Sequence, residues 1–224
     1  MQDERAAVEG LTAGLGLLRA EWERLAVLGH GEVAELLTAS HGCVVDWLRT
    51  GRMAGKRAGP QSQGVGPDAC GDQWRVGLRA LSDFLGENKP DGSSRLRQWH
   101  ELPRELQNKL DPLFGATFGA RVLGYRSRAS FLHFARKLDA PSEVLADGSR
   151  AWRASCLLVM WLWRLQCVVR EKTGMETAII VTPNDLRRSA SSREWLRLST
   201  TPLERTISPF VRSRPLVSGA NSSR

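Results

Sequence analysis

The chain has 224 residues, with 32 Lys and Arg against 24 Asp and Glu and a formal net charge of +8. This length permits one large domain or two small ones that each bury a core, and the charge favours a polyanionic partner. No apolar run reaches the ~18–20 residues that span a bilayer, because the richest candidate, 156–169, is interrupted by Arg164 and Gln166.

The cysteine pattern argues against a metal centre or a disulfide framework. The four cysteines show no CxxC spacing and no paired histidine (Cys43, Cys70, Cys156 and Cys167). They are typical of reduced thiols in a cytoplasmic protein. The N-terminus, MQDERAAVEG, is too polar for a signal peptide. We therefore expect a cytoplasmic protein with no metal, no cofactor, no small-molecule ligand and no membrane contact.

Residues 1–28 are predicted to form an N-terminal helix. Large apolar residues recur there at spacings of three and four, which gives one apolar stripe (Leu11, Leu15, Leu18, Trp22 and Leu25). The stripe can pack on the domain that follows, which we favour, or can form a self-association seam.

Residues 29–89 are predicted to form a compact module of two short helices, a hairpin and a closing helix. Residues 31–37 have one apolar face, 38–40 are a polar turn in which Ser40 can cap the next helix, and 41–50 form a second helix ending at Gly51. Its inward face is Val44, Trp47 and Leu48. A Gly/Pro-rich excursion at 60–71 separates two extended pieces, and 78–85 form the closing helix.

Cations surround the second helix and hairpin of this module. The candidate nucleic-acid contacts are His41, Arg49, Arg52, Lys56, Arg57 and Arg75. Asp46 also faces outward and would repel phosphate, so we expect this module to bind weakly by itself.

Residues 90–115 are predicted to be a linker, centred on 90–94, and a connecting helix in which Pro103 opens the second part. The pattern of the first module then returns at 116–172. The apolar positions of the first helix repeat, with Ala120, Val122 and Leu123 in place of Ala34, Leu36 and Leu37. The sequence around Trp152 likewise matches the sequence around Trp74. The Asp-Gly at 147–148 predicts a hairpin turn.

The second module is the more basic of the two. Its candidate contacts are Arg126, Arg128, His133, Arg136, Lys137, Arg150 and Arg153. The apolar residues of its closing helix cover more than one face, which is more apolar surface than one small domain can bury. This indicates that the helix packs against a further partner. Residues 173–224 are predicted to be a short strand and a basic, largely disordered tail, with eight arginines against two glutamates in 187–224.

Four runs in the first module carry a family resemblance: EVAELL (32–37), TAS (38–40), VVDWLRTGRM (44–53) and QWRVGLRALSDFL (73–85). In order and spacing they resemble the winged helix-turn-helix of the MerR-like excisionase family. LGYRSR (123–128) is similar to its prophage-regulator-type members. The resemblance implies a mostly α fold with small β-hairpin wings and two tandem winged helix-turn-helix modules. Because a linker at 90–94 joins the modules, we expect them to unfold as separately cooperative units. It also implies that Lys56 and Arg57 of the wing reach the minor groove or phosphate.

The resemblance implies a sequence-specific double-stranded DNA-binding protein of a mobile element, located with the nucleoid. It would act as an excisionase (recombination directionality factor) or as a transcriptional regulator, with an integrase or a second copy as a possible protein partner. The alternatives are a replication, partition or DNA-packaging initiator, and a protein–protein scaffold that uses winged folds without DNA. We expect no enzyme, because the chain has no nucleophile elbow, Walker loop, metal-ligand cluster or spaced carboxylate pair.

Overall fold

The computed structural model describes residues 2–57, 74–87 and 97–173. In this part the chain is mostly helical, and it has two small antiparallel sheets of three strands each. The predicted wing tip at 60–71, the linker at 90–94 and the strand and basic tail beyond 173 lie outside the described residues. The elements are α1 (Gln2–Leu25), β1 (Val27–Gly29), α2 (His30–Leu37), α3 (His41–Arg49), β2 (Lys56–Arg57), β3 (Trp74–Gly77), α4 (Leu78–Glu87), a 3-10 helix (Trp99–Glu101), α5 (Arg104–Leu110), β4 (Leu113–Gly115), α6 (Ala116–Val122), α7 (Arg128–Lys137), β5 (Glu143–Val144), β6 (Arg150–Arg153) and α8 (Ala154–Thr173).

The same order of elements occurs twice after α1. Each copy has a strand, two helices, a two-stranded hairpin and a closing helix. We call residues 27–57 and 74–87 the first unit and residues 113–173 the second unit. In both sheets the strand before the closing helix lies in the middle, with orders β1-β3-β2 and β4-β6-β5. The positions predicted for the paired helices, hairpins and closing helices of both units are confirmed within the described residues. The predicted connecting helix is shorter than expected: the described residues before Pro103 form only the 3-10 turn Trp99–Glu101, and α5 begins at Arg104.

Local capping explains the helix pair of the first unit. Glu32 accepts a hydrogen bond from the Gly29 backbone N–H (2.8 Å) at the start of α2. Thr38 ends the helix in the left-handed region (φ 52°), where a reversed backbone satisfies the last carbonyls. The Ser40 hydroxyl then accepts from the Cys43 N–H at 3.2 Å and starts α3. The predicted turn at 38–40 is confirmed.

The second unit repeats this solution with one extra residue in the turn. Gly124 takes the left-handed conformation (φ 68°), and the Tyr125 N–H bonds the Ala120 carbonyl at 2.8 Å. Ser127 caps α7 by accepting from the Ser130 N–H at 3.1 Å. Glycine suits this position because an L side chain is strained at positive φ. The two helix pairs therefore follow the same local chemistry.

The first strand of each unit was not predicted. The sequence predicts a helix through residue 28 and a linker with a connecting helix over 90–115, which leaves no strand at either position. The structure pairs Leu28 with Val76 and Phe114 with Trp152 in antiparallel register. A strand of three residues shows no usable alternation, so only pairing with the middle strand defines it.

The prediction that Trp74 and Trp152 occupy equivalent positions in the two hairpins is wrong: their positions differ by two residues along the middle strand. Gly29 and Gly115 each directly precede the first helix of their unit. Gly29 pairs with Arg75 and Gly115 pairs with Ala151, so Arg75 and Ala151 occupy equivalent positions. Trp152 therefore takes the place of Val76, not that of Trp74. A shift of two residues keeps the side chain on the same sheet face, which is why the apolar pattern did not reveal it.

The two units fill the contact between their paired helices differently. Four residues after the helix caps, the first unit has the buried pair Val33 and Val44, and the second has Gly119 and Phe131. A Cβ on Gly119 would lie 2.5 Å from the Phe131 ring. That ring packs edge-on to Trp152, with centroids 4.9 Å apart. In the second unit the large Phe131 ring on α7 is thus accommodated because α6 has a glycine, with no side chain, at the facing position 119.

We expect Gly119→Ala to lower the free energy of unfolding by ~1–3 kcal/mol, the usual cost of overpacking a filled core. Phe131→Leu should remove much of that clash, so the double variant should be more stable than the sum of the two single losses predicts. Chemical denaturation measures all three. Gly86→Ala, an exposed helical glycine with no atom within 4 Å of its Cβ position, is the control and should be neutral or slightly stabilising. Strict additivity would contradict the proposed contact.

The N-terminal helix packs on the second unit rather than on the adjacent first unit. The stripe of Leu11, Leu15, Leu18 and Trp22 is buried, whereas Leu25 is 37% exposed. The Trp161 indole N–H donates to the Leu11 carbonyl at 2.7 Å. The helix α1 is thus the additional partner that the apolar helix α8 required, and the stripe is covered within the chain. Within the described residues, no helix combines the length and the apolarity needed to cross a membrane.

The two units share one hydrophobic core. The cluster of buried apolar residues runs from Leu11 to Val168 and takes members from both units, α1 and α5. The Trp22 indole N–H donates to the Leu110 carbonyl (2.7 Å), and Glu32 of α2 pairs with Lys109 of α5. These contacts join the segments that were expected to act as separate modules. We therefore expect one cooperative unfolding transition rather than two.

Candidate nucleic-acid interface

The second helix of the first unit has a mixed outward face. Val44 and Leu48 are buried and Trp47 is half-buried, its ring 4.9 Å from that of Phe84. The predicted outward cations His41 and Arg49 are exposed, and so is Asp46 between them. The predicted orientation of α3 is confirmed, and it presents a carboxylate in the middle of the face.

The hairpin of the first unit presents exposed cations on both strands. Lys56 and Arg75 are direct cross-strand neighbours, and Arg52 lies exposed in the preceding turn. The Arg57 guanidinium lies 5.2 Å from the centre of the Trp74 ring, a cation–π contact. The described residues of this unit contain six Lys and Arg against five Asp and Glu, so the cations are nearly balanced.

The second helix of the second unit presents a continuous basic surface. Phe131 and Ala135 face the core. The exposed residues of α7 and its preceding turn include Arg126, Arg128, His133, Arg136 and Lys137, which we call the cation face. Helix α7 contains no acidic residue. The second unit, residues 113–173, contains ten Lys and Arg against four Asp and Glu, so this unit carries the clear positive excess.

The two helices also differ in charge at one equivalent exposed position. Counted from the serine caps Ser40 and Ser127, His133 stands where Asp46 stands in α3, and both side chains are exposed. A carboxylate there opposes phosphate, whereas an imidazole N–H can donate a hydrogen bond to it. The local electrostatics thus favour an anionic partner at α7 over α3.

In the second hairpin, Arg150 is exposed but Arg153 is not in the predicted environment. The Arg153 side chain is 13% exposed and its guanidinium contacts Glu143 at 2.5 Å. It also donates to the Asp111 carbonyl (3.0 Å) and to Asn108 Oδ1 (3.3 Å). Its sequence position beside the hairpin suggested a free cation. The fold instead uses it to bind the hairpin to α5, so we exclude it from the interface.

Behind this hairpin lies a buried carboxylate that the sequence did not identify. Asp111 is 1% exposed, and it accepts hydrogen bonds from the Ser155 backbone N–H (2.9 Å) and hydroxyl (2.5 Å). These contacts cap the first turn of α8. Burial raises the pKa of Asp111 to about 6, while the Ser155 hydrogen bonds oppose that rise. Asp111 and Ser155 are 44 positions apart in the sequence, so local sequence patterns could not reveal this contact.

Asp111 makes the stability of the protein depend on pH. Its folded-state pKa lies above the ordinary value of 3.8, so the folded protein holds a proton that the unfolded chain releases. The free energy of unfolding should therefore fall as pH rises from about 4 to about 6, by ~3 kcal/mol in total. Asp111→Asn keeps the hydrogen bonds to Ser155 and lacks the ionisation. Denaturation at several pH values should show the variant gaining on the wild type across that window, and a constant difference would contradict this.

The exposed arginines of this surface can bind an anionic partner. No group of three or more His, Cys, Asp or Glu side chains that could hold a metal ion occurs in the described ranges. Arginines on an exposed helix face can form bidentate hydrogen bonds with phosphate or with guanine edges. Comparison with protein-family models, curated proteins and solved structures gave no match to this chain.

Proposed function

We propose that this protein binds duplex DNA through two tandem winged helix-turn-helix modules, with the second module as the main contact. The repeated order of strand, two helices, hairpin and closing helix supports this reading. In such modules the second helix enters the major groove and the hairpin lies beside it. A binding role also agrees with the surface chemistry of the described residues, which offers exposed cations.

The observation that carries the proposal is the cation face of α7. Arg128, His133 and Arg136 project from one helix whose opposite side is fixed in the core by Phe131. A helix fixed in this way can present its side chains at the spacing of base edges and phosphates. The first module, with Asp46 on its outward face, would act as a weaker second contact.

The shared core favours one composite DNA site. Units that are packed together hold their binding surfaces in a fixed geometry, so engagement of the second unit places the first beside the adjacent DNA. The local concentration of the first unit can then reach the ~mM range, and weak contacts at Arg49, Lys56 and Arg57 become useful.

We propose that the biological role is architectural or regulatory within a mobile element, as an excisionase or a transcriptional regulator. This rests on the resemblance of 31–85 to MerR-like excisionases. Binding to an integrase would favour the excisionase role, and a DNA site close to a promoter would favour the regulator role. A replication, partition or packaging role would use the same DNA contacts. A scaffold without DNA would instead show binding unaffected by salt.

Binding to duplex DNA is expected to weaken steeply with salt. If the two modules and the basic C-terminal residues neutralise ~6–8 phosphates, log K should fall with a slope of about −5 to −7 against log salt concentration. Fluorescence anisotropy with a labelled duplex over a salt series measures the slope. A slope near zero would remove the DNA-binding proposal.

A further inference from the structure

The outward face of helix α3 carries two residues that are unfavourable for the helix itself. Gly42 and Asp46 are both exposed and lie four positions apart, on the same side of the helix. Glycine is among the poorest helix formers, and aspartate ranks low as well. Asp46 is also the sixth of the nine residues of α3, so its charge lies too far from the N-terminus to stabilise the helix dipole. Helix stability therefore does not account for this face.

Packing of the protein does not account for Gly42 either. Among the described residues outside the local helix backbone, a Cβ at this position would meet only the Ser40 hydroxyl oxygen, at 4.0 Å. The backbone of Gly42 is not in the left-handed region that favours glycine. Alanine would thus fit at position 42 of the free protein. A glycine on an exposed helix face without such a need is typical of a surface that another molecule approaches closely.

The backbone that carries Asp46 is held in one place. Val44 and Leu48 are buried on the opposite side of α3. The Thr50 hydroxyl and N–H both donate to the Asp46 carbonyl, at 2.7 and 2.9 Å. The carboxylate is therefore presented on a fixed helix, away from the core.

The equivalent face of α7 differs in one hydrogen-bonding property. Counted from the serine caps, the outward residues of α3 correspond to those of α7 in pairs: Gly42 with Ala129, Asp46 with His133 and Arg49 with Arg136. All six are exposed. The small first residue and the arginine are kept in kind. The middle position is an acceptor in α3, whereas the imidazole N–H makes it a donor in α7.

A carboxylate distinguishes the bases exposed in the major groove. Cytosine presents its N4 amino group, a donor, whereas guanine and thymine present acceptors there. Adenine presents its N6 amino group beside the acceptor N7. An ionised carboxylate only accepts hydrogen bonds, so Asp46 favours cytosine, tolerates adenine and opposes guanine and thymine. Its repulsion of phosphate adds a cost wherever cytosine is missing, which improves discrimination rather than affinity.

We propose that Asp46 selects a cytosine in the half-site contacted by α3, by accepting a hydrogen bond from the N4 amino group, and that Gly42 leaves room for this base edge to approach. The inference rests on the proposed DNA binding and gives the weaker helix the role of discriminating between sequences. The His133 N–H requires an acceptor, so the equivalent base in the other half-site is not cytosine. The two half-sites therefore differ at this position.

The test uses the full chain and selection of duplexes from a random-sequence pool. The wild type should enrich a site with cytosine at one position of one half-site. Asp46→Asn should change that position to adenine, because a carboxamide bonds N6 and N7 of adenine together, and should leave the other positions unchanged. Replacing the cytosine by adenine should raise Kd about tenfold for the wild type, and the order of the two duplexes should be reversed for the variant.

Two further variants separate base selection from charge and from helix stability. Asp83→Asn removes the same charge from an exposed position on α4 and should leave the selected sequence unchanged. Gly42→Ala should raise the melting temperature, because alanine favours the helix and has room there. It should nevertheless raise Kd for the selected duplex about tenfold. A glycine with only a structural role would not make a more stable protein bind more weakly.

The outcomes distinguish this inference from the proposed function. If Asp46→Asn enriches the same site as the wild type, or tightens binding to every duplex equally, Asp46 is only a repulsive charge. Either result would overturn the inference and leave DNA binding intact. A Gly42→Ala variant that binds as tightly as the wild type would overturn the role of Gly42. Failure to enrich any duplex, with no salt-dependent binding, would overturn the proposed function and the inference together.

Discussion

Alanine at Arg126, Arg128 and Arg136 is expected to weaken DNA binding about a thousandfold, since each arginine that contacts a base or phosphate contributes ~1–3 kcal/mol. All three side chains are exposed on the cation face, so the fold should not change. The salt slope should also fall by up to ~3 in magnitude. Anisotropy titrations at several salt concentrations measure both effects.

The control removes the same charge from the first unit. Arg49, Lys56 and Arg57 are also exposed, and alanine at all three should cost only about tenfold, because Asp46 already opposes phosphate there. A footprint should lose protection over one half-site in the first variant and keep most of it in the second. Equal losses from the two triple variants would contradict the ranking of the modules.

Gly14→Ala is expected to cost ~3 kcal/mol or more of stability, at the upper end of overpacking effects. A Cβ at this position would lie 2.0 Å from the Val122 backbone carbonyl oxygen. Backbone of α6 cannot move aside as a side-chain end can, so α1 would have to shift away from the second unit. Such a loss is a large share of the ~5–15 kcal/mol by which proteins are stable.

Gly16→Ala is the matched control, since it lies in the same helix and nothing lies within 4 Å of its Cβ position. There the better helix propensity of alanine should stabilise by up to ~1 kcal/mol. Calorimetry should show one transition for each protein, moved down by Gly14→Ala and unchanged or moved up by Gly16→Ala. If the two variants melt alike, or if a second transition appears, α1 does not join the units as described.

Local sequence chemistry was sufficient for the helices and turns. Ser40 and Ser127 each follow an apolar helix and precede another, and Asp147-Gly148 lies between two extended runs. Such signals act over a few residues, so the Ser40 cap, the helix pairs and the second hairpin could be predicted without a fold. The outward position of the candidate cations on α3 followed from helical spacing alone.

Long-range contacts decided the rest. Strands β1 and β4 are too short to carry a pattern, and the shift of Trp152 by two residues preserves alternation, so pairing alone set the register. Arg153 looked like a free cation until Glu143 and Asp111 came beside it. The burial of α1 against α8 likewise joined two units that the sequence presented as separate. Packing and pairing between distant residues depend on the whole chain, because the free energy of burial belongs to the contact and not to either segment alone.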